Sequence, residues 1–534
     1  MAIKNSIDKS ENMSYDICIV GSGPAGLTLC KELENTGKRI CVIESGGLIK
    51  NPENNKLRET VNTGEIKIKD SSRERIFGGA STTWSGLSAP LDKIDLEKWS
   101  ISHDELYKYY KRLDKYGFAR IEEFDSSSLS DIKKDADFKL GSNILNEKIF
   151  IAKDPAWNFG KELRYIFDKI NIDLFTNSTV THLSSVKNDS STMITDVVIR
   201  NLNGNEYKIN AKIFILAVGG IECPRLLLLS GLGNENDQVG RYITNHPKNN
   251  FGIIKLNKPA KNLTYLFGYL HSGWSKSAGI RVSEDLQKSL GILNSYVRLE
   301  PMFPWTDSAG VSNFLIIIKK FKLFLDWWKK KQKKVVNLRD WGETGDDENS
   351  ANKFSLFISI IKIIKDFPSV FSYIIHRLFQ NKKMLVKSIR LRNFMEMEAR
   401  SENRITLSSN TDKNGKQLPE VVLNTSKLDR HSVVELHRII GEEMKKRNIG
   451  VLQSNLKDTS PWPINSEASH HLGGTIMGND PLKSVVNTDL KVHSVDNLYI
   501  CSGSVFPTSG CANPTYTICA LAVKLGDRIK KITQ

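Results

Sequence analysis

The stretch Tyr15-Asp16-Ile17-Cys18-Ile19-Val20-Gly21-Ser22-Gly23-Pro24-Ala25-Gly26 decides the fold of this chain. A short β-branched run enters a glycine turn, the helical pattern after it stops near Gly37, and a second apolar run, Arg39 to Ile43, ends in Glu44. Strand, glycine turn, helix, strand and acid in that order form a dinucleotide-binding βαβ unit, in which each residue has a task. Gly21 makes the tight turn, Gly23 lets the backbone approach a pyrophosphate, Gly26 lets helix pack on strand, and Glu44 accepts from ribose hydroxyls. The helix N-terminus adds amide donors and the positive end of its dipole. A glycine-rich turn alone also occurs with nothing bound. Here the strand before it, the helix after it and the acid eighteen residues beyond Gly26 agree, so the sequence predicts a bound dinucleotide.

Two later segments repeat the strand-to-glycine pattern. Ile213 to Val218 leads into Gly219-Gly220 and a leucine-rich helix from Pro224 to Leu229, and Asn497 to Cys501 leads through Gly503 to a closing helix from Pro514 to about Lys531. The nucleotide domain is therefore expected to be discontinuous, with parts at 1–90, 170–245 and 456–534, lid and substrate-domain elements at 91–169, and a substrate domain at 246–455. The fold class that follows is α/β: a doubly wound Rossmann-type domain plus a second α+β domain whose sheet covers the cofactor. Short strands such as Arg404 to Leu407 are assigned to that second domain, and no internal repeat is visible.

At 534 residues the chain can bury large cores, and with 40% hydrophobic and 25% charged residues it is neither disordered nor fibrous. Its net charge of +16 raises a nucleic acid or an anionic membrane as a partner. The excess is local: Lys319, Lys320, Lys322, Lys329, Lys330, Lys331, Lys333 and Lys334 share one stretch with a single acid, Asp326. Seven scattered cysteines lack metal-type spacing and lie mostly in apolar runs, which points to a reducing compartment. Met1 to Met13 lacks the apolar core of a secretory signal, and Lys or Pro breaks every apolar run before it could span a bilayer. The expectation is a cytoplasmic protein, peripheral at the inner membrane face if the basic stretch binds lipid.

No metal constellation stands out among the ten histidines, and there is no Ser-centred nucleophile elbow, which leaves redox chemistry on a bound flavin. Four further segments carry a family resemblance: Gly78-Gly79-Ala80-Ser81-Thr82-Thr83-Trp84-Ser85, Leu216-Ala217-Val218-Gly219-Gly220 with Pro224 to Gly231, His471-Leu472-Gly473-Gly474-Thr475, and Asn513-Pro514-Thr515. Together with the βαβ unit they resemble the glucose-methanol-choline (GMC) oxidoreductases, closest in wording to the pyranose-oxidase branch. The match runs from about Tyr15 to Arg528 and is strong only in the nucleotide-domain pieces.

The resemblance implies FAD and oxidation of a hydroxyl on a carbohydrate or polyol. Such a reaction needs a base for the hydroxyl proton and a donor for the developing alkoxide. His471 is implied as the base and Asn513 as its hydrogen-bonding partner, with His470 a neighbour; Asn-Pro before an apolar run also reads as a helix N-cap. The residues implied to hold the cofactor are Gly21, Gly23, Pro24, Ala25, Gly26, Glu44, Ser45, Gly79, Ala80, Ser81, Trp84, Ser85, Val180, Ala217, Gly219, Gly503, Ser504, Pro514 and Thr515, with Thr83 or Ser85 near flavin N5. Family members that attach FAD covalently use a histidine where this chain has Thr83, so the attachment is expected to be non-covalent, and no metal is expected. The chain also departs from the pattern after Thr475, where Ile476-Met477-Gly478 lacks the usual basic residue. A lyase without net redox and a non-enzymatic membrane-surface flavoprotein stay open as alternatives, as does the electron acceptor.

Phe314, Ile317, Ile318, Phe321, Phe324, Leu325 and Trp328 fall on one helical face, with Lys319, Lys322, Asp326, Lys329, Lys330 and Lys333 on the other. That pattern, with Trp327 and Trp328 at the boundary, suits a helix lying in an anionic membrane interface over 311–334, within an insert of about 311–384. Packing inward on the substrate domain is the other reading. A lipid-linked sugar is then a candidate substrate beside a free small molecule, and a nucleic acid is not expected because the aromatics do not interleave with the lysines.

Overall fold

The computed structural model describes residues 3–7, 14–187, 191–271, 273–303, 305–320, 356–379 and 385–534. Strand Ser14–Val20 lies at the centre of an eight-stranded sheet, parallel to Ile40–Ile43 on one side and to Glu206–Leu216 on the other. Ile172–Phe175 extends the sheet beyond Ile40–Ile43, and Leu498–Ile500 pairs in parallel with Glu206–Leu216. The antiparallel strands Ser178–Lys187 and Thr192–Asn201 complete it. Every residue of Ile40–Ile43 is buried, as expected for a strand covered on both faces. Helices Pro24–Leu33 and Thr515–Ile532 pack on each other, so the end of the chain closes over its beginning. Arg112 clamps that closure, donating to Glu32 at 2.7 Å and pairing with Asp527.

A second, largely antiparallel sheet holds Leu145–Lys153, Trp274–Val282, Tyr296–Met302, Val386–Phe394, Ile253–Ala260 and Gly450–Gln453. The register sets Tyr296 opposite Phe394 and Arg298 opposite Arg392, which puts these four side chains on one face. Helix Lys427–Lys446 packs on its Gly450–Gln453 edge, and starts at a capping box in which Ser426 and Asp429 satisfy each other's backbone amides.

Arg404–Thr411 pairs with Gln417–Val422 and Val61–Asn62 in a separate three-stranded sheet. One element differs from the sequence reading. The helix expected from Pro224 begins at Gly219 and runs to Ser230 with the proline inside it. The extra turn forms ahead of Pro224 at the cost of the single bond that its amide would have made to the Gly220 carbonyl.

In the insert, helices Ala309–Lys320, Leu356–Lys365 and Phe367–Phe379 surround Trp305, Val311, Val370 and Tyr373. Asp366 fastens them, accepting from Ser308 and from the Gly310 amide at 3.2 Å. Phe357, Ile358, Ile360, Ile364, Phe367, Phe371, Ile375 and Leu378 are exposed on the two later helices. The cluster Lys322–Lys334 with Trp327 and Trp328, and the polar run 337–353, which the sequence reads as an exposed loop, lie outside the described residues. No helix among those described is long and apolar enough to cross a membrane.

The βαβ unit depends on contact at Gly26, where an added Cβ would stand 2.0 Å from the Gly21 carbonyl oxygen. Replacing Gly26 by Ala is expected to lower stability by about 1–3 kcal/mol through overpacking, checked by chemical denaturation.

Candidate functional site

A cavity of about 470 Å³ opens between the carboxyl ends of the parallel strands and the second sheet, where doubly wound folds place their ligands. Its nucleotide side is formed by Val20, Gly21, Gly23, Pro24, Ala25, Ile43, Glu44, Ser45, Gly79, Ala80, Ser81, Thr83, Trp84, Ser85, Val180, Ala217 and Gly219. His470, His471, Gly503, Asn513, Pro514 and Thr515 stand at the other end. Of the residues singled out in the sequence, Gly26 and Ser504 do not line it. Gly26 packs helix on strand, whereas Ser504 is buried with its hydroxyl 2.6 Å from both Thr475 Oγ1 and Ser502 Oγ.

The lining fits a dinucleotide. A Cβ built on Gly23 or on Gly219 meets nothing within 4 Å, so the backbone at both places faces open space, while Gly21 adopts φ +102°. Gly23 caps helix Pro24–Leu33 without a side-chain bond, which leaves its first amides for a phosphate. Glu44 accepts from the amide and hydroxyl of Ser22 at 3.0 and 2.7 Å and from the Gly46 amide at 2.7 Å. Those bonds aim the carboxylate and leave lone pairs for ribose hydroxyls. Burial raises its pKa against these donors. At the far end the buried Asn513 Oδ1 has no hydrogen-bond partner, an acceptor waiting for a ligand donor.

The imidazoles at that end carry defined tautomers. His246 Nε2 lies 2.8 Å from the Gly510 carbonyl, so it carries a proton and donates it. With one nitrogen protonated, neutral His246 accepts at Nδ1, and His470 Nδ1, 2.7 Å away, is the donor. His470 Nε2 is then a bare lone pair, and the Asn513 amide Nδ2 donates to it over 3.3 Å. Burial lowers the pKa of His246 to about 4. Burial, with His246 and Lys248 nearby, puts that of His470 well below its ordinary value, so both are neutral at pH 7.

His471 is placed differently. Ser72 spends its hydroxyl hydrogen on the Lys69 carbonyl at 2.5 Å, so its oxygen accepts from His471 Nε2 at 3.2 Å. The Glu467 carboxylate, 3.9 Å from the same nitrogen, holds that proton there. The sequence reading joined His471 to Asn513; the structure joins His470 to Asn513 and makes His471 Nε2 a donor. Nor does Asn513 cap the closing helix, whose N-cap is Pro514 without any side-chain bond. Its amide is drawn to His470 instead.

Sequence reasoning missed His246, Lys248, Arg298 and Arg392, all of which meet His470 or the cavity. Only strand register could have found the arginines, and one sequence does not reveal which strands pair. Asp92, Asp95 and Cys511 approach one another as metal ligands could. Lys148 at 2.7 Å and Arg281 at 3.4 Å from Asp92, with Asn294 donating to both acids, already balance them. All seven cysteines are buried and unpaired.

Residues 161–248 and 399–522 match two family models, both described as GMC oxidoreductase. The chain is 21% identical to 2-methyl-1,2-propanediol dehydrogenase of Mycolicibacterium austroafricanum over 97% of this chain and 95% of the relative. It is 22% identical to the fructose dehydrogenase large subunit of Gluconobacter japonicus over 68% of this chain and 54% of that subunit. Among solved structures, pyridoxine 4-oxidase from Mesorbium loti shares the fold with a TM-score of 0.54 at 14% identity, covering 96% of this chain and 98% of that one. Matches to both the N- and the C-terminal model of one family, in the middle and towards the end of the chain, make it a member of the GMC oxidoreductases, a family of FAD-binding flavoproteins.

Proposed function

We propose that this oxidoreductase binds FAD non-covalently and oxidises a CH–OH group of a carbohydrate or polyol. FAD, when bound, supplies the hydride acceptor. Gly21, Gly23 and the amides of the first helix would hold its pyrophosphate, Glu44 its ribose, and Gly79 to Ser85 with Pro514 and Thr515 its isoalloxazine end. At that end the first amides of helix Thr515–Ile532 offer positive potential to a developing negative charge.

The observation that carries this reading is the His470 Nε2 lone pair, fixed by His246 and set beside Asn513. His470 takes the substrate hydroxyl proton at Nε2, the hydroxyl displacing the long Asn513 Nδ2 hydrogen bond from that lone pair. Asn513 Nδ2 carries a second hydrogen, which can donate to the substrate oxygen as charge grows on it. His471 is the base implied by the family pattern, but with Nε2 donating to Ser72 it serves here as a donor. Both sit on one loop and are separable by substitution.

His470→Ala is expected to slow anaerobic flavin reduction by about 10²–10⁴-fold while bound flavin stays unchanged. Near-normal reduction in that variant, with loss in His471→Ala, would return the role of base to His471. Because the folded-state pKa values of His246 and His470 are lowered, both stay neutral down to well below the ordinary value of 6.5. The reduction rate is therefore expected to be flat from about pH 7 to pH 6; a fall centred near 6.5 would contradict the assigned tautomers. Acid precipitation should release all flavin into the supernatant, since Thr83 offers no nitrogen for attachment.

We also propose that the insert rests on an anionic membrane surface at the inner face of the membrane, next to a substrate that can be lipid-linked. Eight large apolar side chains are exposed on helices Leu356–Lys365 and Phe367–Phe379, the latter followed in its last turn by Arg377. The lysine-rich sequence of 319–334 stands in the same insert. Such a mix of apolar surface and basic charge matches lipid headgroups at about 1 kcal/mol per basic residue. Co-sedimentation with vesicles containing anionic lipid, lost when the lipid is neutral or the salt high, is the expected outcome.

A further inference from the structure

The face of the second sheet that roofs the cavity is cationic beside His470. Arg298 and Arg392 stand directly opposite each other on neighbouring strands, Lys248 pairs with Phe394, and all three residues line the cavity. Like charges directly opposite across a sheet are destabilising, and each carries a desolvation cost as well. Arg392 has Glu300 as an ion-pair partner, but the acids nearby leave Arg298 and Lys248 without one among the described residues. Glu300 is held by Arg390 at 2.8 and 3.0 Å, with Arg392 at 3.6 Å. Glu467 is engaged by the Asn245 amide at 2.9 Å and by the Ser469 backbone.

Arg298 makes no ion pair among the described residues. Its guanidinium lies 4.7 Å over the rings of both Phe150 and Phe394, and its buried Nε has no hydrogen-bond partner. Aromatic faces therefore hold the group flat with its donors directed along its edge. Lys248 Nζ likewise makes no hydrogen bond or ion pair among the described residues. Burial, reinforced by Arg392, pushes its pKa down to about 8, the behaviour of an ammonium lacking its counter-charge.

We infer that the substrate carries an oxyanion, a carboxylate or a phosphate ester, and that Arg298, Lys248 and Arg392 hold it under the sheet while its hydroxyl meets His470. This rests on the hydroxyl-oxidation reading above and adds the substrate class. A guanidinium edge suits the paired oxygens of either group, and the ammonium completes the contact as a point charge. The three cations stand on strands of the second sheet, whereas the pyrophosphate cradle at Gly21 to Ala25 follows a strand of the first.

The test uses the holoenzyme at fixed ionic strength. Inorganic phosphate is titrated while the flavin absorbance is recorded, and D-glucose, D-glucuronate and glucose 6-phosphate are compared as reductants under anaerobic conditions. Saturable perturbation by phosphate is expected, weakened about tenfold or more in Arg298→Gln and in Lys248→Gln and partly restored in Arg298→Lys, with flavin content constant throughout. One of the two anionic sugars should bleach the flavin faster than glucose, and which one does so separates carboxylate from phosphate. Bleaching by glucose as fast as by both anions, with no phosphate response, would overturn the inference and leave the oxidation reading standing. A phosphate response lost in Arg298→Gln, with no bleaching by any hydroxyl compound, would keep the oxyanion site and overturn the oxidation reading instead.

Discussion

The whole site depends on backbone meeting backbone where three distant stretches of chain converge. A Cβ on Gly220 would stand 2.0 Å from the His471 carbonyl oxygen, and one on Gly503 would stand 2.9 Å from the same atom. That carbonyl is thus gripped between the start of helix Gly219–Ser230 and the turn after the last parallel strand. Gly21 does the same for the first turn, where a Cβ would lie 2.5 Å from the Ala217 carbonyl. Side chains would force these segments apart by more than packing could absorb. Because the His471 backbone is fixed this way, neighbouring residues on its loop must project to opposite sides, which is how two adjacent histidines come to have different partners.

The nucleotide half of this arrangement was legible because its signals are local. Gly21, Gly23, Gly26 and Glu44 lie within one βαβ unit, and each task follows from spacing along one strand and one helix. The discontinuity of the sheet was legible too, since Ile213 to Val218 and Asn497 to Cys501 each repeat an apolar run ending in glycine. The catalytic end was legible only down to the loop. Sequence brings His470 and His471 to the same place but cannot say which ring turns towards Asn513, because that choice is made by His246, more than two hundred residues earlier. Arg298 and Arg392 were invisible for a similar reason: their charge becomes a roof only through a strand register. The small sheet around Arg404–Thr411 was legible only as a single strand, because periodicity identifies a strand and not its neighbours.

His246 does two tasks with one ring. Its Nε2 proton holds the Gly510 carbonyl, and its Nδ1 fixes the tautomer of His470. From the other side, Glu396 accepts from the Gly510 amide at 3.1 Å and from the Asn294 amide at 2.6 Å. Burial, and then the nearby Asp95, push the Glu396 pKa up to about 8. The turn before Asn513 is therefore held at both the amide and the carbonyl of one residue. Anchoring of this kind places an amide to within the tolerance that proton transfer demands.

The same buried network explains why cations can be stored beside a neutral base. Asp92 and Asp95 beneath the turn are compensated by Lys148, Arg281 and Asn294, so they lend little negative potential to the cavity above. Lys248 and Arg298 then act on His470 almost unopposed, and their field favours the ring without a proton. A positive roof thus does two compatible things. It keeps the base unprotonated at neutral pH, and it favours the oxygen that turns negative as the base takes its proton. An anion bound under the roof would cancel part of that field and raise the affinity of His470 for a proton only once substrate is in place, when a proton acceptor is needed.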